Sequence, residues 1–467
     1  MEIHWQISTM LGMFEKWIPK PTLTKVKTLE ERNGHSADRQ QPVKLSIVTQ
    51  FYPPDYAATG QFIQELATQL ERQGMHIHIF TGQPGYAFQT DAAPPLEFYD
   101  KILIRRTRTS RMWPKRIRGR ALNGLMFCLR SGLHLLKACW RGDILLITTE
   151  PPYLPVLGLL ANICFNVPYV CLLYDLYPDA AVELKVIPPK HFIVRFWDTL
   201  NSWIWKRSQA AIVLSSTMRD RVAAKCPEIK DKISVIHSWA DPNWIKPINK
   251  KDNWFVCQHN LADKFTVIYS GNMGRCHDMD TILAAAEELQ NEPVHFVFIG
   301  AGAKRQFCID IVCKLGLENC LFLPYQDKDT LPYSLTAADL SLVSISPGLE
   351  GVIAPSKLYG ILAAGRPVAA ICEKHSYLRQ LLADGKCGAA FNNGDGKSLA
   401  EFIRFLAADP QLAAHMGKAG RRYLMSHFTP EIIAQQYAQV LNPLAKSRSQ
   451  NPAAIIQQKK TFLTPDS

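Results

Sequence analysis

Short apolar runs alternate with amphipathic stretches along most of the chain. Leu45, Ile47 and Val48 in "KLSIVTQFYPP" predict a buried strand that ends in a Pro-Pro loop. "GQFIQELATQLERQG" follows, with Phe62, Ile63, Leu66 and Leu70 on one helical face and Gly74 as the C-terminal stop. "MHIHIFTGQPGY" then predicts a second strand. The rhythm returns in "DILLITT", a helix from Tyr153 to Phe165, "PYVCLLYD", a helix around "FIVRFWDTLNSWIWKRS", "AAIVLSS", a helix near "TMRDRVAAKC" and "ISVIHSWAD". Strands this apolar, separated by helices, predict a parallel sheet covered on both faces.

A polar stretch, "IKPINKKDNWFVCQHNLADK", interrupts the rhythm, which restarts at "FTVIYSGNMG" and continues through "VHFVFIGAG", "LSLVSI", "PSKLYGILAAGRPV" and "LAEFIRFLAAD". The expected organisation is an extension at 1–42, a doubly wound domain at 43–245, a linker at 246–263 and a second doubly wound domain at 264–427. A C-terminal helix at 428–445 returns to the first domain, and a disordered tail follows at 446–467. A length of 467 residues suits two cores better than one. The fold class is therefore α/β, with two Rossmann-like domains facing each other across a cleft. Such sheets bind ligands beyond the carboxyl ends of their strands, so the loops after strands carry the chemistry.

Charge adds a second feature. The net charge is +12, and no acid interrupts the basic stretch from Lys101 to Arg141, where cations mix with Trp113, Leu122, Leu125, Met126 and Phe127. That mixture fits peripheral contact with anionic lipid headgroups, and a solvated basic face is the alternative. Nucleic acid is not expected, because no recognition motif accompanies the charge. The 12 cysteines show no CxxC pair or zinc-ligand spacing, so neither a disulfide scaffold nor a metal site is expected. There is no clean apolar run of membrane-spanning length, and the N-terminus lacks the basic and apolar regions of a signal peptide. A cytoplasmic protein, peripheral on the inner face of a membrane, is the expectation.

Three loops of the second domain look built for an anion. "YSGNMGRCHDMDTIL" places Gly271, Asn272, Gly274 and Arg275 between a strand and a helix, and "FIGAGAKR" repeats the pattern at Gly300 and Gly302. Either alone is also an ordinary turn. In "GLEGVIAPSKLYGILAAG", Ser356 reads as an N-cap and Lys357 as part of the first helical turn. A cation there opposes the helix macrodipole, which makes sense where an external anion binds at the same end. In the first domain, Thr59, Gly60 and Gln61 open a helix after the first strand, and Glu150 and Asp175 end later strands. Asp175 suits a carboxylate that orients a hydroxyl or takes its proton, and an N-cap of the helix after "YPDA" is the alternative. His237 and Trp239 read as packing.

Together these segments resemble the GT-B glycosyltransferases of the large retaining class called family 4, and most of all the bacterial branch that assembles O-antigen, capsule or exopolysaccharide. The resemblance rests on "VTQFYPPDYAATGQFIQELATQLERQGMHIHIFTGQPGY", "YDLYPDAAVEL", "YSGNMGRCHDMDTILAAAEEL", "PSKLYGILAAGRPV" and "MGKAGRRYLMSHFTPEIIAQQY", across residues 43–445. It implies a nucleoside-diphosphate sugar held by the second domain and a lipid-linked or glycan acceptor held by the first. Transfer of a hexose or related sugar would proceed with retention and without a metal or other cofactor. The implied catalytic residues are Asp175, Lys357 and Arg275. Gly271, Asn272, Gly274, Gly300, Glu350, Ser356, Leu358 and Tyr359 are implied on the donor side, and Thr59, Gly60, Gln61 and Glu150 on the acceptor side.

Two departures accompany the resemblance. The family's Arg and Lys of the loop opening the second domain read Asn272 and His277 here, and the second of its paired glutamates, which contacts the donor ribose, reads Gly360. Glu350 lies near the place of the first, and Glu373 is a further candidate for the ribose. These departures motivate an alternative, a nucleotide-sugar-binding protein without turnover. An epimerase of the same architecture is a third reading.

Overall fold

A computed structural model describes residues 42–449, except 56, 85–91 and 109–116. The expected extension and the tail from 450 onwards lie outside the described residues, as does part of the basic stretch. The first sheet contains β1 (Lys44–Val48), β2 (His76–Gly82), β3 (Leu96–Tyr99), β4 (Ile102–Thr107), β5 (Ile144–Thr148), β6 (Tyr169–Leu173), β7 (Ala210–Val213) and β8 (Ile233–Val235). Their spatial order is β3-β4-β2-β1-β5-β6-β7-β8. All neighbours are parallel except β3 and β4. Every residue of β5, β6 and β7 is buried, which explains their continuous apolar runs.

The second sheet contains β9 (Phe265–Ser270), β10 (Val294–Ile299), β11 (Cys320–Leu323), β12 (Leu340–Ser344), β13 (Val368–Ile371) and β14 (Gly388–Phe391), in the order β11-β10-β9-β12-β13-β14. All its pairings are parallel. Strand order reverses between β1 and β5 in the first sheet and between β9 and β12 in the second. The crevices of a doubly wound fold open at these two points.

Two features of the fold differ from the sequence pattern. The segment around "KILIRRT" is an inner strand, with Ile102, Ile104 and Arg106 turned inward. Arg106 pairs with Glu97 at 3.0 Å and donates to the carbonyls of Pro53 and Pro94, so it is not a surface cation. Phe255 and Val256, on a short helix in the expected linker, are buried with Ile268 and Val297 under the second sheet.

Apolar contact is continuous from one domain to the other, running from Ile47 and Leu172 through Trp239 and Ile245 to Leu358 and Leu424. Arg421, on the helix Pro410–His427, donates to the carbonyls of Pro242, Ile245 and Ala363, tying that helix to the interdomain connection. The last described helix, Pro430–Ser449, packs on the helix Ala58–Arg72 and on β5, where Gln69 donates to Glu431 at 3.2 Å. It runs beyond position 445, so 446–449 are helical.

Candidate functional site

The loop after β9 and the loop after β10 interlock. Gly271 N–H donates to Ile299 O at 2.9 Å, Met273 N–H to Ala301 O at 2.7 Å, and Lys304 N–H to Met273 O at 2.9 Å. Gly300 has φ +131°, and a Cβ there would lie 2.2 Å from Gly271 O. A Cβ on Gly302 would lie 2.5 Å from Asn272 Oδ1. Side chains are thus excluded from both turns by conformation and by space. Two signals that were weak separately form one small-residue floor at the switch point.

Lys357 stands over that floor. Its Nζ is buried without a hydrogen-bond partner among the described residues and sits 3.6 Å from the centre of the Tyr269 ring. A Cβ on Gly271 would be 3.3 Å from the same Nζ. Burial lowers the Lys357 pKa to about 7. A buried ammonium with only a ring face beside it is costly, and an anion at the glycine loops offsets that cost. Arg275 is exposed next to the same loop, and its side chain has no partner among the described residues. His277 stays neutral, its pKa lowered to about 3 by burial and by Lys357, with Nδ1 2.8 Å from Ser344 O. Lys304 is spent locally, donating to His277 O at 2.8 Å and lying 3.6 Å from Asp280. Asn272 is exposed.

Several expected donor residues serve other ends. Ser356 precedes the helix Lys357–Ala363 but has helical φ and ψ, and its hydroxyl caps nothing. Leu358 and Tyr359 are fully buried, and the Tyr359 ring packs edge-on to Phe428 at 5.2 Å. Their side chains belong to the core and present nothing to a ligand. A Cβ on Gly360 would meet Leu335 and Ile245, so this position also faces apolar side chains. Glu350 is buried: Oε1 accepts from Thr217 of the first domain at 2.7 Å, while Oε2 has no partner among the described residues. Glu373 accepts from Gly348 N–H at 3.0 Å and so holds the loop.

Sequence reasoning missed the clasp beneath this loop. Arg221 donates to Asp179 at 2.9 Å, to Glu183 at 2.6 Å, and to the carbonyls of Gly348 and Glu350 at 3.2 Å. Leu176 N–H donates to Val352 O at 3.0 Å, a second crossing between the domains. Such partners are far apart in sequence, and only the oppositely charged residues of "YPDAAVEL" and "TMRDRVAAKC" hinted at them.

The first domain contributes carboxyl groups. Glu150 follows β5 and accepts from Thr59 Oγ1 at 2.6 Å, which explains a threonine at the opening of the helix Ala58–Arg72. Gly60 packs so closely on Phe51 and Tyr52 that a Cβ would sit 3.0 Å from their backbone. Gln61 is half-buried beside it. Asp175 follows β6; Pro178, not Asp175, holds the N-cap position of the next helix. Burial and then the neighbouring Asp175 raise the Glu150 pKa to about 7, against the Thr59 bond, and burial raises Asp175 to about 6. Burial and then the charge of Asp175 raise the Cys276 thiol, so the field of this carboxyl reaches the second domain's glycine loop. Among the described residues no group of three or more His, Cys, Asp or Glu side chains could hold a metal.

Two doubly wound domains, one with a glycine floor and a buried cation and the other with buried acids after its strands, make a GT-B architecture. Residues 58–239 match the "Glycosyl transferase 4-like domain" family and residues 251–423 the "Glycosyl transferases group 1" family. The chain belongs to the family 4 type of GT-B glycosyltransferases. It is 24% identical over 409 residues to the probable glycosyltransferase WbjE of Pseudomonas aeruginosa, covering 86% of this chain and 98% of that one. It is 28% identical over 182 residues to the lipopolysaccharide core biosynthesis glycosyltransferase LpsE of Rhizobium meliloti, covering 38% of this chain and 50% of that one. The structure of Anabaena HepE in complex with UDP-glucose superposes with a TM-score of 0.65 at 17% identity, covering 86% of this chain and 100% of that chain.

Proposed function

We propose that the protein moves a hexose or related sugar from a nucleoside diphosphate to a lipid-linked or polysaccharide acceptor in cell-surface glycan assembly, with retention of configuration. The unpartnered, buried Lys357 ammonium above the interlocked glycine loops carries this reading. The donor's diphosphate would lie there, with Lys357 and Arg275 stabilising the charge that develops as the anomeric C–O bond breaks. The complex of HepE with UDP-glucose and the naming of LpsE for lipopolysaccharide core biosynthesis support the donor and acceptor classes.

On the opposite wall, Asp175 and Glu150 would orient the acceptor hydroxyl. Its oxygen attacks the anomeric carbon on the face from which the diphosphate leaves, and its proton passes to the departing phosphate oxygen. No protein nucleophile and no metal enter this scheme. A lipid-linked acceptor would bring the enzyme to the cytoplasmic face of a membrane. No helix among the described residues is long and apolar enough to cross a membrane.

The test is a panel of UDP- and GDP-sugars offered with a polyprenyl-linked acceptor. Transfer from at least one donor is expected. Absence of both transfer and donor hydrolysis across the panel contradicts the proposal, and donor binding without turnover assigns the binding role instead.

A further inference from the structure

Helices Ile117–Leu135, Val156–Phe165 and Phe192–Arg207 pack side by side. All three follow strands that step the same way along the sheet, and right-handed crossovers put them on one face. The inward side of Phe192–Arg207 is satisfied by Val194, Asn201, Ile204 and Trp205, which are buried. Its outward side is not polar: Phe192 is 74% exposed, Phe196 67% and Trp203 64%. Leu129 and Leu133 continue the apolar face on Ile117–Leu135, and Ile163 does so on Val156–Phe165. Single exposed apolar residues are ordinary, but one shared by three adjacent helices marks a docking surface.

Lys185, Lys190 and Arg195 border the face, all exposed, and their side chains have no hydrogen-bond or ion-pair partner among the described residues. The nearby acids are already engaged: Asp198 pairs with Lys225 at 2.7 Å and Glu183 with Arg221 at 2.6 Å. A symmetric second copy would bring like charges together. Aromatic rings standing out of a helix and flanked by free cations match the anionic interface of a bilayer.

We infer that this three-helix face docks the protein on an anionic bilayer, with Phe192, Phe196 and Trp203 entering the headgroup region. The contact is therefore centred further along the chain than the stretch from Lys101 to Arg141. Several cations of that stretch are spent inside the protein: Arg106 in its ion pair, and Arg141 on the carbonyls of Leu135 and Leu136 and over the Phe165 ring. The face also adjoins the acidic wall. Asn201 donates to Tyr177 O at 2.6 Å, just after Asp175, so docking would bring the acceptor side of the cleft to the lipid surface.

The inference rests on the lipid-linked acceptor only for its purpose, and it is tested without any sugar. Flotation of the full chain with phosphatidylglycerol/phosphatidylcholine vesicles is compared with pure phosphatidylcholine vesicles. The wild-type chain is expected to float with the anionic vesicles and to be released by salt. A triple variant, F192S/F196S/W203S, should partition about tenfold more weakly or less, and K190E/R195E should lose the preference for anionic lipid. Unchanged cooperative thermal unfolding of each variant shows that the fold persists. A wild-type chain that stays with the soluble fraction, or a triple variant that floats as well as wild type, overturns the inference. So does a wild-type dimer that the triple variant converts to a monomer, since the face then serves a second copy. Failure here leaves the transfer proposal standing, and failure of the donor panel leaves vesicle binding readable.

Discussion

The two walls of the cleft handle charge in opposite ways. On the second domain, Lys357 is buried with no hydrogen-bond partner among the described residues, above loops whose glycines admit no side chain. On the first, Glu150 is held by Thr59 at 2.6 Å and neighbours Asp175, and both carboxyls hold protons more tightly than usual. One wall offers a cation in need of an anion, and the other offers acids that titrate near neutrality. The difference teaches that the two walls have separable tasks. Loss of the acids should damage turnover and spare donor binding, and loss of the lysine should do the reverse first.

The largest expected effect follows from the acidic wall. Asp175→Asn and Glu150→Gln should each lower kcat by about 10²-fold through lost orientation of the acceptor hydroxyl, with the affinity for a nucleoside diphosphate nearly unchanged. In the wild-type enzyme, activity should rise with pH as the pair ionises, through about 6 to about 7. Steady-state kinetics beside calorimetry separates the two effects, and a parallel loss of binding would break the division between the walls.

The glycine floor comes next. Gly300→Ala should destabilise the fold by about 2–4 kcal/mol, because its Cβ meets backbone at a positive φ. Gly74→Ala, also at positive φ but with nothing within 4 Å, should cost only about 1 kcal/mol. Urea unfolding of both variants checks this, and equal costs would remove the claim of close packing between the loops.

A smaller effect concerns the buried cation itself. The Lys357 pKa is about 7 in the folded chain against an ordinary 10.5. As pH falls from about 10.5 to about 7, the unfolded chain takes up this proton first, so stability is lost across that window and the loss is complete below about 7. Lys357→Met should therefore be more stable than wild type at pH 6.5, by about 2 kcal/mol, in the absence of nucleotide. Thermal unfolding at pH 6.5 and at pH 10.5 reads the sign, and a less stable variant at the lower pH would contradict it.

The alternation of apolar strands and amphipathic helices was legible in the sequence because β5 to β7, β12 and β13 are short and wholly buried, and β9 and β10 nearly so. The segment Ile102–Thr107 was hidden because its arginines read as surface charge, whereas Arg106 points inward to Glu97 and two carbonyls. Lys357 and the glycine loops stood out, since a lysine at that place conflicts with local preference. Leu358 and Tyr359 could not be sorted from them by position, because a helix turns successive residues by about 100°, so Lys357 can face the loops while the next two meet the core. The clasp of Arg221 with Asp179, Glu183 and the carbonyls of Gly348 and Glu350 depends on contacts between domains, which leave no periodic trace in the chain.

The most direct test is the affinity of UDP for wild type and Lys357→Met by calorimetry between about pH 7.5 and about pH 9. A bound diphosphate should raise the Lys357 pKa, so binding takes up a proton and wild-type affinity should fall by about tenfold per pH unit. The variant should bind about 10²-fold more weakly at the lower pH and show little slope. Equal affinities, or the same slope in both proteins, would contradict Lys357 as the cation that receives the donor's diphosphate.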